Sequence, residues 1–262
     1  MFKAVSLKEL WQYRELFYFL AWRDVKLKYR QTLLGVLWAI VQPMFTMVVF
    51  TILFGHFAKL PSDGIPGPIF YYSALLPWMY FSTTLTYSGG SLVGNANLLT
   101  KIYFPRLILP ASSVLSGLLD LAIGSLVLLG LMAYYHIRPS WGLFLWPALV
   151  ILLAFLALAI GTLLAALNVR YRDIKHAMPF VIQLWLFATP IIYPTSLIPD
   201  RLRLLIAFNP LTGLIEAFRA SLLPGRQVDW QLLGISFVIT SIMLACSAMY
   251  FTRVERYFAD IV

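Results

Sequence analysis

The chain has 262 residues, of which 61% are hydrophobic and only 12% charged, and its mean hydropathy is +0.82. A water-soluble domain of this size has no interior able to hide so much apolar surface, which excludes an ordinary soluble enzyme or binding module. The formal charge of +9 does not point to nucleic acid, because the basic residues sit at the ends of apolar blocks, where anionic lipid headgroups or an anionic substrate are the fitting partners.

Several blocks approach or exceed the roughly 20 residues that a helix needs to cross a bilayer, and none alternates like a transmembrane strand of about 10 residues. The expected fold is all-α and polytopic. Residues 1–29 are charged throughout, unlike a signal peptide. The single Cys246 lies in the last apolar block and reads as a small core residue, so disulfides contribute nothing.

Ser6-Leu7-Lys8-Glu9 has capping-box form and predicts a helix start. Leu7, Leu10, Trp11 and Phe17 alternate with Lys8, Glu9, Gln12, Arg14 and Glu15, which predicts an amphipathic helix in the headgroup plane over residues 1–32. The cations from Arg23 to Arg30 are placed to snorkel to phosphates. An uncharged first span follows from Leu33 to Phe54, then a tight turn rich in Gly and Pro over His56 to Pro68. The second span starts near Ile69 and carries Tyr71, Tyr72, Trp78, Tyr80, Phe81 and Tyr87, before Ser88-Gly89-Gly90 and Gly94 loosen it.

Asn95 to Pro110 reads as a short internal helix containing Lys101 and Arg106. The third span, Ile108 to Tyr135, holds Asp120 near its middle, where a carboxylate must face protein or water or be protonated. The fourth span, Trp141 to Leu167, ends at Arg170, Arg172 and Lys175, and a short fifth block runs from Met178 to Tyr193. Residues 194–225 break at Asn209-Pro210 into two pieces too short to cross, which fits a re-entrant helical hairpin. The sixth span runs from about Leu232 to Phe251 within residues 228–252.

Six spans with both ends inside place fourteen Lys and Arg in the cytoplasm against six outside, as the positive-inside rule expects. The three histidines, His56, His136 and His176, are scattered, so no metal-ligand spacing appears, and no catalytic constellation or phosphate-binding loop is visible.

KYRQTLLGVLWAIVQP from Lys28, NVRYRDIKHAMPFVIQLWLFATPIIYP from Asn168 and NPLTGLIEAFR from Asn209 resemble the blocks shared by permease subunits of type-2 ABC transporters of the polysaccharide-export branch. The resemblance covers nearly the whole chain in order and implies a single transmembrane domain over residues 1–262. It implies a homodimer in the bacterial inner membrane, bound to two copies of a separate cytoplasmic ATPase that carries ATP and Mg. The cargo it implies is a lipid-linked polysaccharide of O-antigen, capsule or teichoic acid type.

On that resemblance the N-terminal helix and the segment 95–107, with Asn95, Leu98, Lys101, Tyr103 and Arg106, are the parts seated on the ATPase. Residues 194–225, with Asp200, Asn209, Pro210, Glu216 and Arg219, close the extracytoplasmic exit, Glu216 and Arg219 being spaced for an ion pair. A conduit for a sliding glycan wants aromatic rings, for which Tyr71, Tyr72, Trp78, Tyr80, Phe81 and Tyr87 are candidates, although core packing explains any one of them. Arg23, Lys26, Lys28 and Arg30 are candidates for the lipid pyrophosphate, or for phospholipid alone. Asp120 is either a structural acid between helices or a polar element of the channel. The rival functions are a type-2 permease for a drug or lipid, a passive channel, a membrane-embedded enzyme or a scaffold.

Overall fold

The structure is a computed structural model and describes residues 7–30, 35–171, 173–222 and 226–255. Among these residues every regular element is helical. The N-terminal segment departs from expectation in two ways. It forms two helices, α1 (Leu7–Gln12) and α2 (Arg14–Tyr29), separated at Tyr13. The second does not segregate apolar from charged residues, and it buries Leu20 and Ala21 in the protein. The capping box at Ser6 lies outside the described residues.

Gly35, at φ +51°, opens a 3-10 turn over Gly35–Leu37 that leads into α3 (Trp38–Phe50). A π-helical turn, Thr51–Phe57, continues the rod, which also carries Pro43 inside α3. The long helix α4 (Gly67–Gly94) runs unbroken through the Ser88-Gly89-Gly90 stretch that composition reads as a weak point. Next come α5 (Ala96–Lys101), α6 (Ile108–Tyr134), a 3-10 turn at Trp141–Leu145 and α7 (Trp146–Arg170). The chain finishes with α8 (Ile174–Ala188), a 3-10 turn at Thr195–Leu197, α9 (Asp200–Ala207), α10 (Pro210–Leu222) and α11 (Trp230–Val254).

Among the described residues, four helical stretches are long and apolar enough to cross a membrane: Gly35–Phe57, Ile108–Tyr134, Trp141–Arg170 and Trp230–Val254. At 28 residues α4 has the length, but its tyrosines, serines and threonines make it more polar. The apolar α8 has only 15 residues.

The central helix is α4, packed chiefly by α6 and α7 with α3 and α10 alongside. Small residues on its neighbours allow the approach. A Cβ added at Gly117 of α6 would stand 2.7 Å from the Thr84 hydroxyl, one at Gly124 would collide with Leu76, and one at Gly161 of α7 would collide with Ser88. The main core runs from Met47 to Leu222. A second, smaller core at the other end gathers Leu20, Leu92, Phe104, Ile108, Val169 and Phe251, so α2 rests on the bundle through Leu20 while Tyr18, Phe19, Trp22 and Leu27 stay exposed. Cys246 is exposed on α11, which corrects the expectation of a core residue.

Candidate functional site

Asp120, at the middle of α6, accepts hydrogen bonds from Lys28 Nζ and the Tyr29 hydroxyl, the last two residues of α2. Nearer the start of α2, Arg23 donates to Asp24 Oδ1 at 2.8 Å and to Asn95 Oδ1 at 3.0 Å, while Ser112 Oγ donates to Asp24 Oδ2 at 3.3 Å. A carboxylate at that depth is tolerable because a cation and a phenol answer it. The geometry ties Asp120 between α2 and α6, and the same residue borders a cavity beside them. Arg23 and Lys28 are engaged by the protein's own acids, whereas Lys26 and Arg30 are exposed, Lys26 lying 5.6 Å from the centre of the Trp22 ring. The four cations expected to act alike thus divide into two kinds. Tyr29, Asp24 and Ser112 were invisible as partners, because about ninety residues of sequence separate the two sides.

Two cavities of about 480 and 410 Å³ open between α2, α4 and α6, the second also reaching α3, and they share Lys28, Thr83, Thr86, Tyr87 and Gly117. Of the six candidate path aromatics, Tyr87 alone is exposed, at 56%. Tyr71, Tyr72, Trp78, Tyr80 and Phe81 are buried, none above 5% exposure. Tyr72 donates to Gly124 O and Tyr80 to Val114 O, each at 3.2 Å, and Phe81 meets Trp185 edge to face. These five rings are buried in the protomer because α4 is enclosed by other helices, although Tyr80 also borders the second cavity.

In the segment 95–107, Asn95 is tied to Arg23 and to the Ser91 carbonyl, and Leu98 packs against the smaller core. Phe104 anchors that core, while Lys101 is exposed and Tyr103 is 82% exposed. Arg106 bonds the Glu255 backbone carbonyl, and its own amide donates to Glu255 Oε1 at 3.3 Å. Burial pushes the Glu255 carboxyl above its ordinary range, against the opposing pull of Arg106. The segment is thus clamped to the end of α11, with Lys101 and Tyr103 facing out.

At the opposite end, the chain breaks between α9 and α10 at the expected place. Asn209 Oδ1 accepts from Trp185 Nε1 at 3.0 Å and caps the Leu211 amide at 3.2 Å, while its amide donates to Thr189 Oγ1 at 2.9 Å. Pro210 begins α10 and is buried, and Asp200 begins α9. Arg219, fully buried, donates to Pro190 O at 2.8 Å, Ile191 O at 2.7 Å and Glu216 Oε1 at 3.0 Å, and lies 3.9 Å from the Phe70 ring centre. The expected Glu216–Arg219 pair forms, but the arginine's main work is to satisfy two carbonyls of the turn that follows α8. Glu216 also faces Arg226 at 3.7 Å, and Arg226 pairs with Asp63, which accepts from Ser196 Oγ at 2.9 Å. Pro190, Ile191, Arg226 and Asp63 carried no sequence signal linking them to α10.

The family model for the ABC-2 type transporter matches residues 15–223. The chain is 33% identical to the O-antigen export system permease protein RfbA of Myxococcus xanthus, over 96% of this chain and 97% of that one. It is 26% identical to the protein of the same name in Klebsiella pneumoniae, over 91% and 92% of the two chains. It is also 26% identical to the polysialic acid transport protein KpsM of Escherichia coli, over 89% and 91%. With the family match spanning most of a chain whose described elements are helical and include apolar helices of membrane length, this protein belongs to the ABC-2 type transporter family of membrane permeases.

Proposed function

We propose that the chain is the membrane-spanning subunit of an ATP-driven exporter of lipid-linked polysaccharide in the bacterial inner membrane. The observation that carries this reading is similarity over nearly the full length to permeases named for O-antigen export and polysialic acid transport. The subunit supplies the path, and a separate ATPase, two copies per complex, supplies ATP hydrolysis with Mg. Both ends are cytoplasmic, in keeping with the distribution of Lys and Arg. Six spans follow if α4 and α8 cross with the four longer apolar stretches; enclosure of α4 by α3, α6 and α7 supports its crossing.

A homodimer is supported by the apolar faces left open on α3 and α8. Trp38, Val41, Phe45 and Val48 lie along one side of α3, and Phe180, Val181, Leu184 and Phe187 along one side of α8, on which Met178 is the buried residue. The paired helices α9 and α10 act as a re-entrant exit gate, with Asp200, Asn209, Pro210, Glu216 and Arg219 holding its shape. Asn95, Leu98, Lys101, Tyr103 and Arg106 form the coupling element, which Tyr103 and Lys101 present to the ATPase. Lys26 and Arg30 meet the lipid pyrophosphate at the cytoplasmic surface, and Tyr87 lines the sugar path.

Deleting the chain in its own host and extracting lipids tests the reading. We expect a glycan-bearing lipid to accumulate inside the cell, surface polysaccharide to disappear, and co-purification of an ATPase with the tagged chain. Unchanged surface glycan, or accumulation of a drug or simple lipid in its place, would reject it.

A further inference from the structure

We propose that the cleft between α2, α4 and α6 is a binding site for a neutral pyranose ring of the exported glycan; the identity of the ring's source rests on the function proposed above.

Charge makes the first part of the argument. The cleft holds two cations, Arg23 and Lys28, and each is already paired with an acid, Asp24 and Asp120 respectively. A phosphate or pyrophosphate entering here would have to compete with these carboxylates, and a free cation would meet the paired ammonium and guanidinium. A neutral ligand that both donates and accepts hydrogen bonds meets neither obstacle. The walls supply what such a ligand needs. The Thr86, Ser91 and Ser116 hydroxyls donate to carbonyls of their own helices, at 3.0, 2.7 and 3.0 Å, which leaves their oxygens as acceptors for sugar hydroxyls. Arg23 and Lys28 retain N–H donors beyond those used in their pairs.

Tyr87 makes the second part. Four of the other five candidate rings of α4 border neither cavity and Tyr80 borders the second while only 3% exposed, whereas Tyr87 is 56% exposed and lines both. An open aromatic face beside hydroxyls matches the C–H face of a pyranose. Lys28 Nζ stands 5.8 Å from the ring centre, placed to bond a hydroxyl of a stacked sugar.

Space is the third. Gly90 and Gly94 of α4 line the cleft, yet a Cβ added to either would meet nothing within 4 Å. Packing does not demand glycine there, in contrast to Gly89, where an added Cβ would strike Met178 at 2.5 Å. Volumes of about 480 and 410 Å³ fall in the range of small-molecule sites, about 300–1,000 Å³.

The test is saturation-transfer NMR on the purified full chain in lipid nanodiscs, with the methyl glycosides of glucose, galactose, mannose and N-acetylglucosamine as probes. We expect ring C–H protons of at least one glycoside to receive saturation from the wild type. We expect the same from Gly130→Leu, a position on α6 away from the cleft with open space around it. The signal should fall at least about fivefold, roughly 1 kcal/mol in binding, in Gly90→Leu, whose added Cβ meets no neighbour within 4 Å, and in Tyr87→Ala. No transfer from any of the four glycosides, equal transfer to Gly90→Leu, or displacement by inorganic pyrophosphate overturns the proposal. Each of these results holds whether or not surface glycan in cells depends on the chain, which is the separate readout for the export function.

Discussion

Lys28, the penultimate residue of α2, forms an ion pair with Asp120 at the middle of α6, across 92 positions of sequence. The pair fixes the inclination of α2 against the bundle, and the Tyr29 hydroxyl completes the acid's coordination. Both side chains retain some access to solvent, 31% for Lys28 and 19% for Asp120, so the energy lies between that of a surface pair and a buried one. Asp120→Ala should cost about 1–3 kcal/mol by leaving the ammonium and the phenol without their partner. Combining it with Lys28→Met should cost less than the sum of the two single changes, read as thermal midpoints in nanodiscs. Strict additivity would mean that the two groups do not interact in the bilayer.

Arg219 presents a harder constraint, because it is fully buried and spans two elements. Arg219→Met leaves the Pro190 and Ile191 carbonyls and Glu216 unanswered. The expected loss is about 3–5 kcal/mol. Protease nicking between α8 and α10 should rise with it. Glu216→Gln, which keeps an acceptor for Arg219, should have the milder effect; the reverse order would show that the ion pair rather than the carbonyl contacts carries the anchor.

Glycine positions separate packing from chance. A Cβ at Gly142 would stand 2.7 Å from Ser221 O, and one at Gly213 would collide with Ser236 and the Leu232 carbonyl. Gly142→Ala and Gly213→Ala should each destabilise by about 1–3 kcal/mol through overpacking. Gly130→Ala, with open space around it, should stabilise α6 by up to about 1 kcal/mol. The three midpoints measured together give the comparison, and equal behaviour at all three would contradict the close approach of α10 to α11 and to the Trp141–Leu145 turn.

Glu255 links pH to the segment 95–107. Its carboxyl is raised by burial, so the folded state holds that proton more tightly than the unfolded state, whose pKa is about 4.3. Stability from this group is therefore present at low pH and is lost as pH climbs from about 4 through the raised value. Glu255→Gln should remove that part of the pH dependence while its amide oxygen still accepts from the Arg106 amide. Parallel pH profiles for wild type and variant would rule the linkage out.

Composition alone determined that the chain is a helical membrane protein, because apolar blocks of bilayer length have no other stable home. Local chemistry also placed the break at Asn209-Pro210 and the spacing of Glu216 and Arg219, since both depend on residues within one helical turn. Tertiary structure decided the rest. Whether an aromatic faces a path or a core depends on which helices enclose it, and α4 is enclosed on most sides, so Tyr71, Tyr72, Trp78, Tyr80 and Phe81 are buried while Tyr87 is open. Whether a cation is free for a headgroup depends on an acid far away in sequence: Asp120 engages Lys28, whereas the exposed Lys26 and Arg30 stand apart from it. The turn carbonyls that Arg219 satisfies exist as a need only once α10 has folded back over the turn after α8. Hydrophobic periodicity reports on burial in general, but the partner of a buried charge is chosen by the packing of helices that sequence spacing does not connect.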